Sequence, residues 1–177
     1  MAAVNTPIFP SRCPYIVSVG ATQLKSSYNL KSDSGNTGVE EAAATKIYSG
    51  GGFSNVFGVP DYQVSTFIKY INAYSPPYGL DRYKTCKASR CHPNISANGV
   101  RYAAVVNDMT KLLYATSAAT STLAAIFTII NQARMNVGKS SIGFVNPVLY
   151  QNPELLYDIT EDGNPGCGTA GFSAEIG

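Results

Sequence analysis

Tryptophan is absent from this 177-residue chain, histidine occurs once, and only 14% of the residues are charged. Each shortage removes a class of function. One imidazole, His92, and four scattered cysteines give no ordinary zinc ligand set, because Cys13, Cys86, Cys91 and Cys167 lack the paired spacing that such sites use. The same histidine sits in a Cys-His-Pro segment, lends little support to a Ser-His-Asp triad, and reads as structural or exposed. Thirteen Lys+Arg against 11 Asp+Glu leave a formal net charge of +2, with no basic footprint for nucleic acid and no acidic tail. No apolar run reaches the length of a membrane span, so no membrane partner is expected. The opening residues show no cationic segment before an apolar run, so no secretory leader is read there.

What is present is a globular composition. Hydrophobic residues make up 45% of the chain, enough for one substantial core. Sixteen glycines, ten prolines and twelve tyrosines are a mix common in extracellular proteins. Disulfides are then the expected fate of the cysteines. Cys86 with Cys91 would close a short loop and Cys13 with Cys167 a long one, but four cysteines permit three pairings and the sequence does not choose.

The order of elements follows from punctuation and period. Tyr15 to Val19 reads as a buried strand before Gly20, and residues 24–46 as a polar loop that carries a Ser32-Asp33-Ser34-Gly35 turn. Gly50-Gly51-Gly52 has no Gly-Lys-Ser/Thr ending, so it reads as a tight turn or close backbone approach, not a phosphate cradle. Pro60-Asp61 starts an amphipathic helix with Val64, Phe67, Ile68 and Ile71 on one face, ending near Pro76. Residues 78–92, with Arg82, Lys84, Lys87 and Arg90, read as a solvated loop. Asn94-Ile95-Ser96 is a glycosylation sequon, though its segment is expected to enter a buried strand. Residues 100–106 and 110–114 read as strands joined at Asn107-Asp108. Residues 122–137 read as a helix, apolar almost all round and so expected to be buried on most sides, with Gly138 as its stop.

The passage that carries chemistry is Ala-Thr-Ser-Ala-Ala-Thr-Ser-Thr-Leu-Ala-Ala at residues 115–125. It brings Ser117 to the start of that helix, where unpaired N–H groups and the helix dipole favour an anion forming beside its oxygen. The plainer alternative is that Thr116 or Ser117 merely caps the helix. The passage resembles the nucleophile motif of the sedolisins, the serine-carboxyl peptidases, whose pattern is Gly-Thr-Ser-Ala-Ser-x-Pro before an apolar helix. Further segments follow in the family's order: Phe9-Pro10-Ser11-Arg12-Cys13-Pro14-Tyr15, Ser49-Gly50-Gly51-Gly52-Phe53-Ser54-Asn55, Pro93-Asn94-Ile95-Ser96-Ala97, Gly143-Phe144-Val145-Asn146-Pro147, Asp158-Ile159-Thr160 and Asn164-Pro165-Gly166-Cys167. The chain is most similar to the fungal secreted members.

The resemblance implies an α/β, subtilisin-like fold with a mostly parallel sheet flanked by helices, of which residues 1–177 form the C-terminal half. It implies a peptide or protein substrate, an acyl-enzyme on Ser117, and secretion of the full-length protein. The family's base is a glutamate oriented by an aspartate, with a second aspartate at the oxyanion; none has a match here, and Asp33 lies on the wrong side of the Cys-Pro-Tyr segment to be that aspartate. The chain alone is therefore expected to be inactive. Three departures, Ala115 for glycine, Ser121 for proline and Asn94 for aspartate, keep open a non-catalytic relative or binding module on the same scaffold. The family's calcium site maps to Asp158, Ile159 and Gly177, with its last carboxylate unmatched, so weak calcium binding or none is expected. Half of such a sheet would also leave apolar surface uncovered, an expectation of self-association.

Overall fold

A computed structural model of the protein describes residues 9–25, 40–74, 78, 89–166 and 168–175. Nine strands, three α-helices and two 3-10 turns follow one another among these residues. The centre is a three-stranded sheet in the order β2-β1-β5, formed by Glu41–Ala43, Val19–Leu24 and Ile95–Asn98. β1 runs antiparallel to β2, with Thr22 opposite Ala43, and parallel to β5, with Ala21 opposite Ala97. Small residues fill its middle because both edges of β1 are occupied and a helix covers one face. Ala21, Thr22 and Ala42 are buried accordingly.

A mostly parallel sheet is not what the described residues form. β1 and β5 make their single parallel pair, with the long connection between them that such pairing needs. The other strands lie in antiparallel ribbons: β3 (Gly52–Gly58) with β4 (Ser89–His92), β6 (Val100–Val106) with β7 (Met109–Tyr114), and β8 (Gly163–Gly166) with β9 (Thr169–Ser173). The β6–β7 turn forms as its composition dictates. Asn107 and Asp108 both take positive φ, 51° and 58°, the backbone that a two-residue hairpin needs and that these two side chains tolerate.

Two strands depart from the expectations of sequence. The strand expected at 15–19 begins instead at Val19, and Tyr15 is 80% exposed, because the residues after Cys13-Pro14 turn at the surface before pairing starts. Within the polar 24–46 stretch β2 forms, and Lys25 ties it to the far end of the chain through Glu40 at 3.0 Å and Glu161 at 2.7 Å. The turn at 32–35 lies outside the described residues.

Helix α1 (Val64–Tyr74) follows a 3-10 turn at Asp61–Gln63, as the Pro60-Asp61 start predicts. Phe67 is its buried anchor and stacks edge-on against Phe53 of β3, with ring centroids 6.0 Å apart, while Ile68 is half exposed. Helix α2 (Thr116–Asn136) starts six residues before the expected boundary and stops at Gly138, whose φ of +74° is the left-handed cap conformation. It lies on β1 and β5 through Ala119 and Leu123. Burial on most sides does not occur. Ile126 is 44% and Ile129 68% exposed, because among the described residues only one sheet face meets the helix. Helix α3 (Asn146–Gln151) completes the set. No described helix is long and apolar enough to cross a membrane.

Candidate active site

Ser117 lies in the first turn of α2 with its side chain exposed. The local sequence explains the placement. Ala115 ends the hairpin in extended conformation, φ −160° and ψ 135°, and its N–H donates to the Gly99 carbonyl at 2.9 Å, which ties the turn to the end of β5. From there the run of small residues enters the helix without crowding. The N-cap position is Ala115, with no side-chain cap bond, so Thr116 and Ser117 both lie inside the helix and neither caps it. Extended backbone at 115 also removes the concern that alanine replaces a needed glycine, since any residue adopts that conformation.

An uncapped start is open to improvement. Ala115→Ser is expected to stabilise the fold by about 1 kcal/mol, or roughly 3 °C in Tm, by accepting a hydrogen bond from the first-turn N–H groups. Thermal unfolding of the two proteins measures it, and an unchanged Tm would show that those groups are already satisfied.

Among the described residues no carboxylate or imidazole hydrogen-bonds to the Ser117 oxygen. His92 belongs elsewhere. It ends β4 at 7% exposure, before β5 begins, whereas the Ser117 turn joins the other end of β5. Its Nδ1 lies 3.1 Å from the Gly50 carbonyl, which can only accept, so Nδ1 carries the proton. Burial pushes the imidazole pKa below its usual 6.5, partly opposed by that hydrogen bond. A group whose folded pKa is lowered contributes stability above its unfolded pKa and loses it as pH falls toward the folded value. His92→Asn keeps a donor for Gly50 and removes the titration. Urea midpoints from about pH 7.5 to about 5 are expected to fall less in this variant than in the parent, and parallel profiles would exclude the effect.

The segment expected to be a solvated basic loop holds instead the most buried cation of the described residues. Arg90 in β4 is 0% exposed because strand pairing with β3 turns its side chain under the 13–16 segment. Its guanidinium donates to the carbonyls of Cys13 at 3.1 Å and Ile16 at 3.3 Å, to the Cys91 carbonyl, and to Asn94 Oδ1 at 2.7 Å. Asn94 also accepts the Ser18 N–H at 2.9 Å and donates to the Tyr150 hydroxyl at 3.1 Å. Gln63 completes the network, donating to that hydroxyl at 2.6 Å and bridging both backbone groups of Cys91. The sequon asparagine is thus fully engaged, which leaves no place for a glycan. Beside the network is an apolar cavity of about 310 Å³ lined by Phe53, Phe67, Tyr70, Pro93 and Phe172, and Ser117 is not on its wall.

Cys91 lines this cavity, and burial pushes its thiol up to about 12, so it stays protonated and unreactive. Cys13 and Cys91 are both free thiols. The expected bridges of Cys13 with Cys167 and of Cys86 with Cys91 each call on one of them, and Cys86 and Cys167 lie outside the described residues.

Of the three expected calcium ligands, two lie among the described residues. Asp158 is exposed on irregular chain, Ile159 adjoins it half-buried, and Gly177 lies outside the described residues. No group of three or more His, Cys, Asp or Glu side chains is placed to hold a metal among the described residues. One carboxylate with neighbouring carbonyls does not fit a cation that takes six to eight oxygens.

No family model matches the chain. Individual proteins do. It is 40% identical to tripeptidyl-peptidase sed1 of Aspergillus fumigatus, over 98% of this chain and 28% of that protein. It is 39% identical to aorsin of Aspergillus oryzae over the same shares, and 31% identical to human tripeptidyl-peptidase 1 over 91% of this chain and 27% of that protein. The chain belongs to the sedolisin family. It spans about a quarter of the length of these relatives, 27–28%. The fold agrees: a Pseudomonas sedolisin, described as a serine-carboxyl proteinase, matches with a TM-score of 0.68 at 19% identity, over 96% of this chain and 42% of that one. That match places the sheet and helices of this sedolisin chain in a subtilisin-like α/β fold.

Sequence reasoning missed the Arg90 network altogether. A cation in a polar, cysteine-flanked run carries no local sign of burial, and the pattern that could have warned of it is the family's aspartate four residues later, here Asn94.

Proposed function

We propose that this chain is the C-terminal portion of a secreted, acid-acting serine-carboxyl peptidase in which Ser117 is the nucleophile. The observation that carries the reading is the exposed Ser117 in the first turn of a 21-residue helix, with no side chain capping the turn. In the complete protein the Ser117 oxygen attacks a peptide carbonyl carbon while its proton passes to a carboxylate base on the remainder of the chain. The C–N bond then breaks, the amine leaves with a proton, and water releases the acyl group from the serine. First-turn N–H groups and the helix dipole lower the cost of negative charge beside that oxygen. A base of this type and a protonated oxyanion donor both favour acid pH.

The substrates are peptides, as the names of the relatives suggest. Hydrolysis of a peptide mixture near about pH 4 tests the reading, with the complete protein active and the 177-residue chain inactive. Neutral-pH activity alone, or none from the complete protein, would overturn it. A second reading, a non-catalytic relative, draws on Asn94, which leaves the buried Arg90 without a carboxylate. For the metal, calorimetry of the chain with calcium is expected to give no binding tighter than about millimolar, in line with a single carboxylate, and micromolar affinity would overturn this.

A further inference from the structure

Gly99 is the one-residue link between β5 and β6, and three backbone hydrogen bonds run through its neighbourhood. Its N–H donates to the Thr22 carbonyl of β1 at 3.0 Å, and its carbonyl accepts the Ala115 N–H at 2.9 Å. The Ala115 carbonyl in turn accepts the Ala118 N–H at 3.2 Å, closing the first turn of α2 around Ser117. A Cβ at position 99 would fall 2.7 Å from that Ala115 oxygen and 2.8 Å from the Ala21 Cβ. Neither distance is tolerable, and neither neighbour yields cheaply. Ala21 is 2% exposed in the middle of β1, and the Ala115 oxygen belongs to backbone that anchors the helix.

We infer that Gly99 is a positioning residue: its missing side chain lets the Ala115 carbonyl seat against the sheet, and that seating fixes the Ser117 hydroxyl relative to β1 and β5. The inference rests on the reading of Ser117 as nucleophile. The two contacts separate packing from positioning, because one can be relieved without the other. Gly99→Ala meets both clashes, whereas Gly99→Ala with Ala21→Gly conserves the number of methyl groups and leaves only the clash with the Ala115 oxygen.

Hydrogen exchange of the Ala118 amide in the 177-residue chain, and kinetics in the complete protein, carry the test. In both variants Ala118 protection is expected to drop at least about tenfold and kcat about a hundredfold, with KM within about threefold, as for a reacting group displaced by less than its own radius. Tm is expected to fall in the single variant and recover in the double. Recovery of Ala118 protection and kcat together with Tm would reduce Gly99 to a packing residue and overturn the inference, as would an unchanged single variant. If Gly99→Ala does not fold, the double variant compared with the parent decides the matter on the same two measurements. Ser117→Ala separates the two ideas: undiminished activity there sinks the nucleophile, while the Ala118 exchange result still stands or falls by itself.

Discussion

Ser117→Ala is expected to lower kcat of the complete protein by a factor on the order of 10³ to 10⁶ and to leave KM nearly unchanged. The asymmetry follows from where the oxygen acts. A hydroxyl exposed on the first turn of α2 makes little contact with a bound ground-state peptide, but in the proposed mechanism it forms the covalent bond of the acyl-enzyme. Deleting it removes the covalent path and leaves only the stabilisation that N–H groups and binding give to attack by water. The fold is expected to survive the change, because the Ser117 side chain neither caps the helix nor is buried, while its backbone carbonyl still accepts the Ser121 hydroxyl at 3.0 Å. Steady-state kinetics of parent and variant at the acid optimum measure it. A loss of less than about tenfold would mean that another group does the chemistry.

Much of this arrangement was legible in the residues. The Asn107-Asp108 turn, the proline-led start of α1 and the glycine stop of α2 follow from the residues because each is a local choice fixed by backbone conformation or capping. Ser117 at a helix start was readable for the same reason. The sheet was harder. Parallel or antiparallel pairing depends on which distant segments meet, and only two of the four described sheets, β6–β7 and β8–β9, pair across short connections, whereas β3 and β4 meet from either side of α1. Exposure of α2 does not follow from its apolar run, since composition states what a helix prefers to bury and not which elements among the described residues meet it. Ile129, apolar and 68% exposed, is the clearest case.

The buried polar network lay beyond the sequence for a different reason. Gln63, Arg90, Asn94, Asn146 and Tyr150 are separated by up to 87 positions, and what joins them is hydrogen-bond geometry that only the fold creates. Three of them rank among the most completely buried large side chains, so this core is held by satisfied polar groups as much as by apolar area. Asn146 shows the limit of that satisfaction: its Nδ2 donates to Ile16 at 2.9 Å, and its Oδ1 has no partner among the described residues.

Asn94→Asp is the variant with the largest expected gain in stability. Arg90 carries a full charge at 0% exposure, and its partners are carbonyl oxygens and one amide oxygen, none of them charged. A carboxylate at 94 would stand where Asn94 Oδ1 already lies, 2.7 Å from the guanidinium, so the pair forms without rearrangement. The remaining bonds also persist. The Ser18 N–H would still donate to one carboxylate oxygen, and the Tyr150 hydroxyl, which now accepts from Asn94 Nδ2, can turn its own proton toward the other. With the guanidinium's desolvation already incurred and three donors on the carboxylate to offset its own, the new pair is expected to add about 2 kcal/mol, the difference between a charge-assisted and a neutral hydrogen bond in a buried setting. Pairing lowers the folded pKa of the new carboxyl, so the gain is present above about pH 4, the unfolded value, and is lost as pH falls through the folded value. Chemical denaturation at neutral pH and near about pH 3 measures both magnitude and sign. A variant no more stable than the parent at neutral pH would show that carbonyl oxygens alone satisfy the buried guanidinium, and that the asparagine costs this fold nothing.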